Sequence, residues 1–499
     1  MQAVNSVVIV GGGTAGWLAA AAIGKIYQNK VKVTLLESDA IGTVGVGEAT
    51  IPTMMAFHKL IGIPEAEMMR ATHATFKLGI NFKNWGEIGE DYLHAFGQIG
   101  RIFWAGEFQH FWTRAKKLGV NAPYGAYCLE NEAARAGKFA ISENPVLNYA
   151  FHFDAGLYAK YLRNFSEALG VVRQEGKVES VQQDADSGNI TSVTLANGAV
   201  LAGDFFIDCT GFRGLLIEET LKTGYENWQQ WLPCDSALAV QSVKAGPATA
   251  YTSATAHEFG WQWRIPLQNR TGNGVVYSSQ FADRNWAEKT LANNIDGKML
   301  TEPRLIQFKT GRRKLSWNKN CVALGLSSGF LEPLESTSIH MVTSGLIRLL
   351  RLFPLRGIQP VLVEEFNRQS REEAESIRDF IILHYHATRR TDTDFWNYVR
   401  TMSVPDSLRH RIDMFVESGM MFLGGDELFR TNGWSQVLIG QGFTPKNYQP
   451  IVDNMADDEF IAYMKGFRDH ITSNVNLLPR HEEFIARYCS MSEELSQPA

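Results

Sequence analysis

Cysteine is scarce in this chain, with five in 499 residues: Cys128, Cys209, Cys234, Cys321 and Cys489. They are odd in number, scattered and nowhere spaced Cys-x-x-Cys, which argues against both a disulfide framework and a zinc site. Long apolar runs are missing too. No segment approaches the ~18 consecutive apolar residues of a membrane span, so no membrane association is expected. The N-terminal residues show no charged stretch followed by a cleavable apolar one. A reducing cytoplasm is the expected home. There is no basic excess either: 48 Lys and Arg stand against 53 Asp and Glu, a formal charge of −5. That leaves no footprint for nucleic acid. The short clusters Lys116-Lys117 and Arg312-Arg313-Lys314 read as solvated faces. His384-x-His386 lacks a third ligand at telling spacing and reads as structural, so no metal site is expected.

What is present is a nucleotide-type opening. An almost wholly apolar run over residues 6–10 leads into Gly11-Gly12-Gly13-Thr14-Ala15-Gly16. An Ala-rich helical stretch (17–27) and a second apolar strand (31–36) ending at Glu37 follow. Strand, tight turn, helix, strand is how a doubly wound parallel sheet begins. In Gly11-x-Gly13-x-x-Gly16 the glycines let backbone approach a pyrophosphate, and the N-terminus of the helix that follows offers it free N–H groups. Glu37 lies 21 positions past Gly16, close to the ~20 expected of the acid that takes ribose hydroxyls. The turn does not distinguish FAD from NAD. Two later runs, Phe205-Phe206-Ile207 and Cys321-Val322-Ala323-Leu324, each run on into glycine, as one sheet with long excursions would produce. The continuation Gly325-Leu-Ser-Ser-Gly329 is similar to the ribityl-contacting segment of FAD monooxygenase-type folds, which favours FAD.

Residues 171–203 alternate strands with Asn- and Gly-containing turns, and 236–281 also read as strands. After residue 339 the periodicity becomes helical, over 339–352 and 361–384 and onward to about 494. The expected fold is α/β: an FAD-binding doubly wound parallel sheet of the flavin monooxygenase type over residues 1–355. It includes a β-sheet excursion on the substrate side at about 225–300. A C-terminal helical region, 356–499, is expected to close the substrate site.

Within the excursion, Trp261-Gln262-Trp263-Arg264-Ile265-Pro266 has the period of a strand. Trp261, Trp263 and Ile265 share one face, Gln262 and Arg264 the other, and Pro266 ends the ladder because it has no N–H to donate. Alone, this is an aromatic packing face. Paired with the glycine turn, it resembles the signature of flavin-dependent tryptophan halogenases. Further blocks carry the same resemblance. The stretch 44–52, with Glu48, is similar to the family's flavin-side loop. Phe76-Lys77-Leu-Gly-Ile-Asn-Phe82 is similar to the segment with its essential lysine. His94-Ala-Phe96-Gly97 is similar to the stretch lining the aromatic substrate, and residues 206–217 to a block near the cofactor. Residues 330–339, containing Glu335-Ser336-Thr337-Ser338, are similar to the block carrying the acidic active-site residue and the halide site.

The resemblance implies an FADH2-dependent enzyme that makes hypohalous acid from O2 and chloride or bromide and delivers it through Lys77 to an electron-rich arene, an indole or tryptophan. Lys77 and Glu335 would be catalytic. Gly11, Gly13, Thr14, Ala15, Gly16, Glu37, Glu48, Gly325 and Ser336 would hold the cofactor. Thr337 and Ser338 would hold halide, and His94 and Phe96 the substrate. Trp261, Trp263, Ile265 and Pro266 would form the gate that keeps the arene from the flavin. No second dinucleotide turn is found, which implies a separate NAD(P)H-dependent flavin reductase as partner. Known free-tryptophan halogenases carry Gly where this chain has Ser338, a position at which a positive φ would strain serine. Outside the resemblance, Glu335-Ser336-Thr337 reads as a helix start with Ser or Thr as cap. The alternative function is an aromatic monooxygenase or dehydrogenase on the same scaffold. A flavin-binding sensor without catalysis is a third reading, which gives no purpose to a distant lysine.

Overall fold

Apolar runs too short and too β-branched for helices pair side by side in the first sheet of the computed structural model, which describes residues 3–41, 47–101 and 106–491. Residues 44–46 of the flavin-side loop lie outside them. The strands run in the order Trp317–Asn318, Cys321–Ala323, Phe205–Asp208, Ser6–Val10, Lys32–Glu37, Val172–Glu175. All neighbours are parallel except the outer hairpin formed by the first two. Central strands are buried on both faces, which is why they read as continuous apolar runs. The helix Thr14–Tyr27 begins three residues before the Ala-rich stretch, because Gly13 already serves as its N-cap. Its residues from Gly16 to Gly24 are all buried, and the small side chains let it pack closely on the helix Ala155–Ala168. The meander is a three-stranded antiparallel sheet of Val178–Gln183, Ile190–Leu195 and Val200–Ala202.

A second, seven-stranded sheet runs Arg304–Gln307, Ser236–Val243, Arg270–Tyr277, Gly260–Pro266, Thr252–His257, Gly79–Lys83, Asp91–Ala95. Two of its strands come from the N-terminal third of the chain, joined in parallel at Thr252–His257. The long helix Pro360–His386 buries Ala374, Ile377, the run from Phe380 to Leu383, and Tyr385 in the same core as Trp85, Trp261 and Trp263. The last helices, Asp457–Leu477 and His481–Tyr488, instead join the core of the first sheet. The fold is therefore mixed α/β with a parallel sheet and a C-terminal helical region that covers both cores. All five cysteines are free thiols. No helix among the described residues is long and apolar enough to cross a membrane.

The strand Gly260–Pro266 alternates as expected, with small partners opposite its large rings. Trp263 faces Gly274 on one side and Ala254 on the other, and Trp261 faces Ala256. Gln262 and Arg264, on the opposite face, both donate to the carbonyl of Asn294 at 3.1 and 3.3 Å. A methyl group on Gly274 would lie 2.0 Å from Cζ2 of Trp263. Gly274→Ala should therefore force the indole off its seat and lower stability by roughly 1–3 kcal/mol, the usual cost of overpacking. Thermal or denaturant unfolding checks this, and an unchanged midpoint would mean that the Trp263 ring is free to move aside.

Candidate active site

Lys77 is the last residue of the strand Thr75–Lys77, an edge strand of the small sheet shared with Gly47–Ala49 and Ala150–Asp154. At Leu78 the chain passes into the seven-stranded sheet, so Lys77 sits at the joint between two sheets. Phe76, pointing the other way, is stacked on Phe139 at 4.1 Å and edged by Tyr149 and Phe484. Its N–H donates to Nε2 of His481 at 3.3 Å. The His481 Nδ1–H in turn meets the Ala248 carbonyl. The strand is thus gripped from behind by the C-terminal helix, and the lysine is held in front.

The Lys77 side chain is 0% exposed. Its Nζ donates to the Thr50 carbonyl at 3.0 Å and to Ser336 Oγ at 2.8 Å, and lies 5.3 Å from the centre of the Phe96 ring. Burial pulls its pKa from 10.5 down to about 7, against an upward pull from Glu335. The solvated side chain that a lone lysine usually is has been replaced by a buried amine with a lone pair available near neutrality.

Glu335 ends the turn Pro333–Glu335, and Ser336 follows in the left-handed region at φ 57°. His94 Nδ1, from the strand Asp91–Ala95, lies 2.9 and 3.0 Å from the two Glu335 oxygens. His384 Nε2 lies 2.8 Å from Oε1 on the other side. His384 Nδ1 faces the Phe380 carbonyl at 2.8 Å. A carbonyl can only accept, so Nδ1 carries the proton of that contact, while Nε2 faces Oε1 at ion-pair distance without the geometry of a hydrogen bond. Burial drives the Glu335 carboxyl up, but His94 and His384 outweigh it and hold the pKa at about 2. An ionised carboxylate is thereby kept inside the protein.

The helix Ser338–Arg351 starts directly after this turn. The simple capping role for Ser336 or Thr337 is not realised: Thr337 is the N-cap residue but its side chain makes no cap bond. Its hydroxyl is buried without a hydrogen-bond partner, and the Ser336 hydroxyl goes to Lys77. A free hydroxyl beside the unsatisfied N–H groups of a helix start is a setting that fits a small anion. Ser338 is the first helical residue and has no positive φ; the left-handed position is Ser336. The strain considered for Ser338 is therefore absent.

The nucleotide end is built on close approach. Gly11 has φ 114°, and a Cβ there would lie 2.2 Å from the Cys209 carbonyl; one on Gly16 would lie 1.8 Å from the Gly11 carbonyl. One on Gly13 would meet nothing within 4 Å, so this is the open lip of the turn, ahead of Thr14 and Ala15. Glu37 crosses Gly12, with Trp17 Nε1 and Arg173 Nε donating to it. Gly325 closes on Ala15 from the next strand end. Asp208 accepts from the N–H groups of Leu216 and Ile217 and fixes the block after Phe205–Asp208. Glu48, with its hydration reduced, is pushed up to about 7. Ile265 packs against Gly47, so the Trp-bearing strand abuts the short strand that carries Glu48. The open lip, the uncapped helix start and the enforced glycines fit a dinucleotide cofactor.

Lys77, His94, Phe96, Glu335, Ser336 and Thr337 are thus brought together, while the glycine turn, Glu37 and Gly325 meet one another at the first sheet. Trp261 reaches the Glu335 loop, and Ile265 reaches Gly47. The residue missed from sequence is His384. Its spacing to His386 carried no metal signal, and nothing local says that it meets a carboxylate 49 residues away. Gln441 supports it by donating to the His384 carbonyl at 3.0 Å. Phe380 and Phe429, stacked at 3.8 Å, complete an aromatic wall around His94. Among the described residues no group of three His, Cys, Asp or Glu is placed to hold a metal.

A doubly wound sheet with a dinucleotide cradle, joined to a buried amine and an ionised carboxylate, defines a dinucleotide-dependent enzyme with reactive side chains sealed in its interior. Comparison with known proteins narrows this class: the tryptophan halogenase family model matches residues 6–457, and the chain belongs to that family. Tryptophan 7-halogenase RebH of Lentzea aerocolonigenes is 36% identical over 97% of this chain and 98% of its own. The solved structure of Xcc4156, a flavin-dependent halogenase from Xanthomonas campestris, is 51% identical with a TM-score of 0.97, covering 100% of both chains. That of BrvH, a flavin-dependent halogenase from Brevundimonas sp. BAL3, is 43% identical with a TM-score of 0.93, covering 97% of this chain and 99% of that one. The chain is a flavin-dependent halogenase, and the monooxygenase alternative gains no support.

The depressed Glu335 pKa makes a directional prediction. The stabilisation it contributes is complete above the ordinary 4.5 and is lost as pH falls toward about 2. Glu335→Gln should therefore melt lower than the wild type at neutral pH, and the two should converge on acidification. A gap that does not change with pH would mean that the carboxylate is not held ionised.

Proposed function

We propose that this chain is an FADH2-dependent halogenase that passes halogen from hypohalous acid through Lys77 to an electron-rich aromatic, an indole or tryptophan. The observation that carries this reading is the buried Lys77 amine, hydrogen-bonded to Ser336 and paired electrostatically with Glu335. Reduced FAD, held over Gly11, Gly13, Thr14, Ala15 and Gly16 with Glu37, Glu48 and Gly325 around it, would supply the electrons by which O2 oxidises the halide.

Thr337 Oγ and the N–H of Ser338 hold chloride or bromide at the helix start. Trp261, Trp263, Ile265 and Pro266 form the wall that separates the arene from the flavin. The neutral Lys77 amine takes halogen from hypohalous acid, exchanging an N–H for an N–halogen bond with loss of water. His94 and Phe96 hold the arene by stacking and apolar contact. Glu335, with its low pKa, is a weak resting base, so its first contribution is charge: it stabilises the cationic ring formed as the halogen transfers. The ring proton then leaves through the carboxylate and its two imidazoles. A separate NAD(P)H-dependent flavin reductase supplies FADH2. Five free thiols suit a reducing cytoplasm.

The test is an assay with FAD, a flavin reductase, NADH, bromide or chloride, and a panel of indoles and tryptophan, read by mass spectrometry. Halogenated product is expected, and failure on every electron-rich arene while FAD binds would overturn the reading. Lys77→Ala should abolish product while flavin reoxidation by O2 continues; retained halogenation would remove the amine from the pathway. Because only the neutral amine has a lone pair, product per flavin oxidised should rise as pH increases through about 7. A flat profile from weakly acidic to weakly basic pH would leave Lys77 only a hydrogen-bonding role.

A further inference from the structure

Three residues before Glu335 lies a second buried carboxyl, Glu332, which is 0% exposed. One oxygen, Oε2, accepts from Trp261 Nε1 at 3.1 Å and from the Tyr385 hydroxyl at 2.5 Å. The other, Oε1, is buried with no hydrogen-bond partner. Tyr385 is adjacent to His384, which holds Glu335. Two carboxylates on one short loop therefore grip two successive residues of the helix Pro360–His386, and one of them also holds the first tryptophan of the Trp-x-Trp strand.

This arrangement is expensive. A carboxyl sealed in an apolar core with one oxygen unsatisfied costs free energy that a leucine or methionine of similar volume would not. Burial pushes its pKa up to about 7, partly opposed by the Tyr385 and Trp261 hydrogen bonds. Packing alone gives no reason for such a group. Geometry does. Trp261 is buried among other aromatics, with Trp263 at 6.2 Å and Trp85 at 6.4 Å. The hydrogen bond from its Nε1 ties the indole edge to the Glu335 loop. The bond from Tyr385 to the same oxygen fixes the loop on the helix at a second point, so that Glu335 cannot pivot about His384.

We infer that Glu332 is a positioning residue for halogen transfer: it locks the Trp261 ring and seats the Glu335 loop on the long helix, so that oxidant is spent on the arene rather than lost. The inference rests on the halogenase reading above. Glu332 itself touches neither halide nor arene and acts through Trp261 and Tyr385.

The experiment compares Glu332→Leu, Glu332→Gln and the double variant Trp261→Phe/Tyr385→Phe. Each is supplied with FAD, reductase, NADH, bromide and indole. Brominated indole is measured beside free hypobromite captured by a 1,3-diketone. In Glu332→Leu the ratio of brominated indole to captured hypobromite should fall by about a hundredfold, the scale on which an ångström of misplacement acts, while flavin oxidation continues. Glu332→Gln should be rescued, because its amide oxygen still accepts from both donors. The double variant, which keeps the carboxyl and an aromatic ring at each position but removes both donors, should leak as Glu332→Leu does, and it stands in for that variant if Glu332→Leu does not fold.

Amide hydrogen exchange without substrate or halide gives a readout independent of activity. Residues 260–266 and 331–338 should exchange faster in Glu332→Leu, with residues 6–10 unchanged. Wild-type product partitioning in Glu332→Leu or in the double variant, or equal impairment of Glu332→Gln and Glu332→Leu, would overturn the inference. If the wild-type protein brominates nothing, the halogenase reading falls, and the exchange comparison alone decides whether Glu332 positions the loop.

Discussion

A negative charge buried away from water must be matched by polar partners in the same interior, and Glu335 is matched on two sides. His94 comes from a strand of the seven-stranded sheet and His384 from the long C-terminal helix. The loop between them has to present its carboxylate to both at once. That requirement accounts for the left-handed Ser336, which turns the chain sharply into the helix Ser338–Arg351. It also places the Ser336 hydroxyl where Lys77 can donate to it. The carboxylate, the amine's hydroxyl partner and the open helix start are thus consequences of one tightly constrained turn.

Lys77 depends on the joint between two sheets. An edge strand of three residues cannot hold a buried amine by its ladder alone. The aromatic cage around Phe76 supplies the anchor, and part of that cage is the final helix, His481–Tyr488. The C-terminal region therefore does more than cover the two cores: its long helix supplies His384 and Tyr385, and its last helix supports the amine from behind. Truncating the end of the chain would disturb a residue near its beginning.

Much of the fold was legible in local pattern. The parallel strands read as apolar runs because they are buried on both faces, and the Trp-x-Trp strand read correctly because one face is aromatic and the other polar. The glycine turn was legible because at Gly11 and Gly16 close backbone approach admits no other residue. The membership of residues 79–95 in the second sheet was not, since nothing in those strands names their partner. Lys77, His94 and Glu335 came from motif resemblance, and their meeting at one place is a fact of packing. His384 carried only a spacing that suggested nothing, and nothing in the sequence singled out Glu332.

By itself the sequence determined which segments are strands and helices, where backbone must pass close to backbone, and that the chain opens with a dinucleotide turn. These follow from periodicity and side-chain size, properties felt within a few residues. Tertiary structure alone decided that a lysine loses its hydration, that a glutamate keeps its charge between two imidazoles, and that a threonine at a helix start leaves its hydroxyl free. Those outcomes depend on burial and on partners tens to hundreds of residues away, where electrostatics is set by distance in space rather than along the chain.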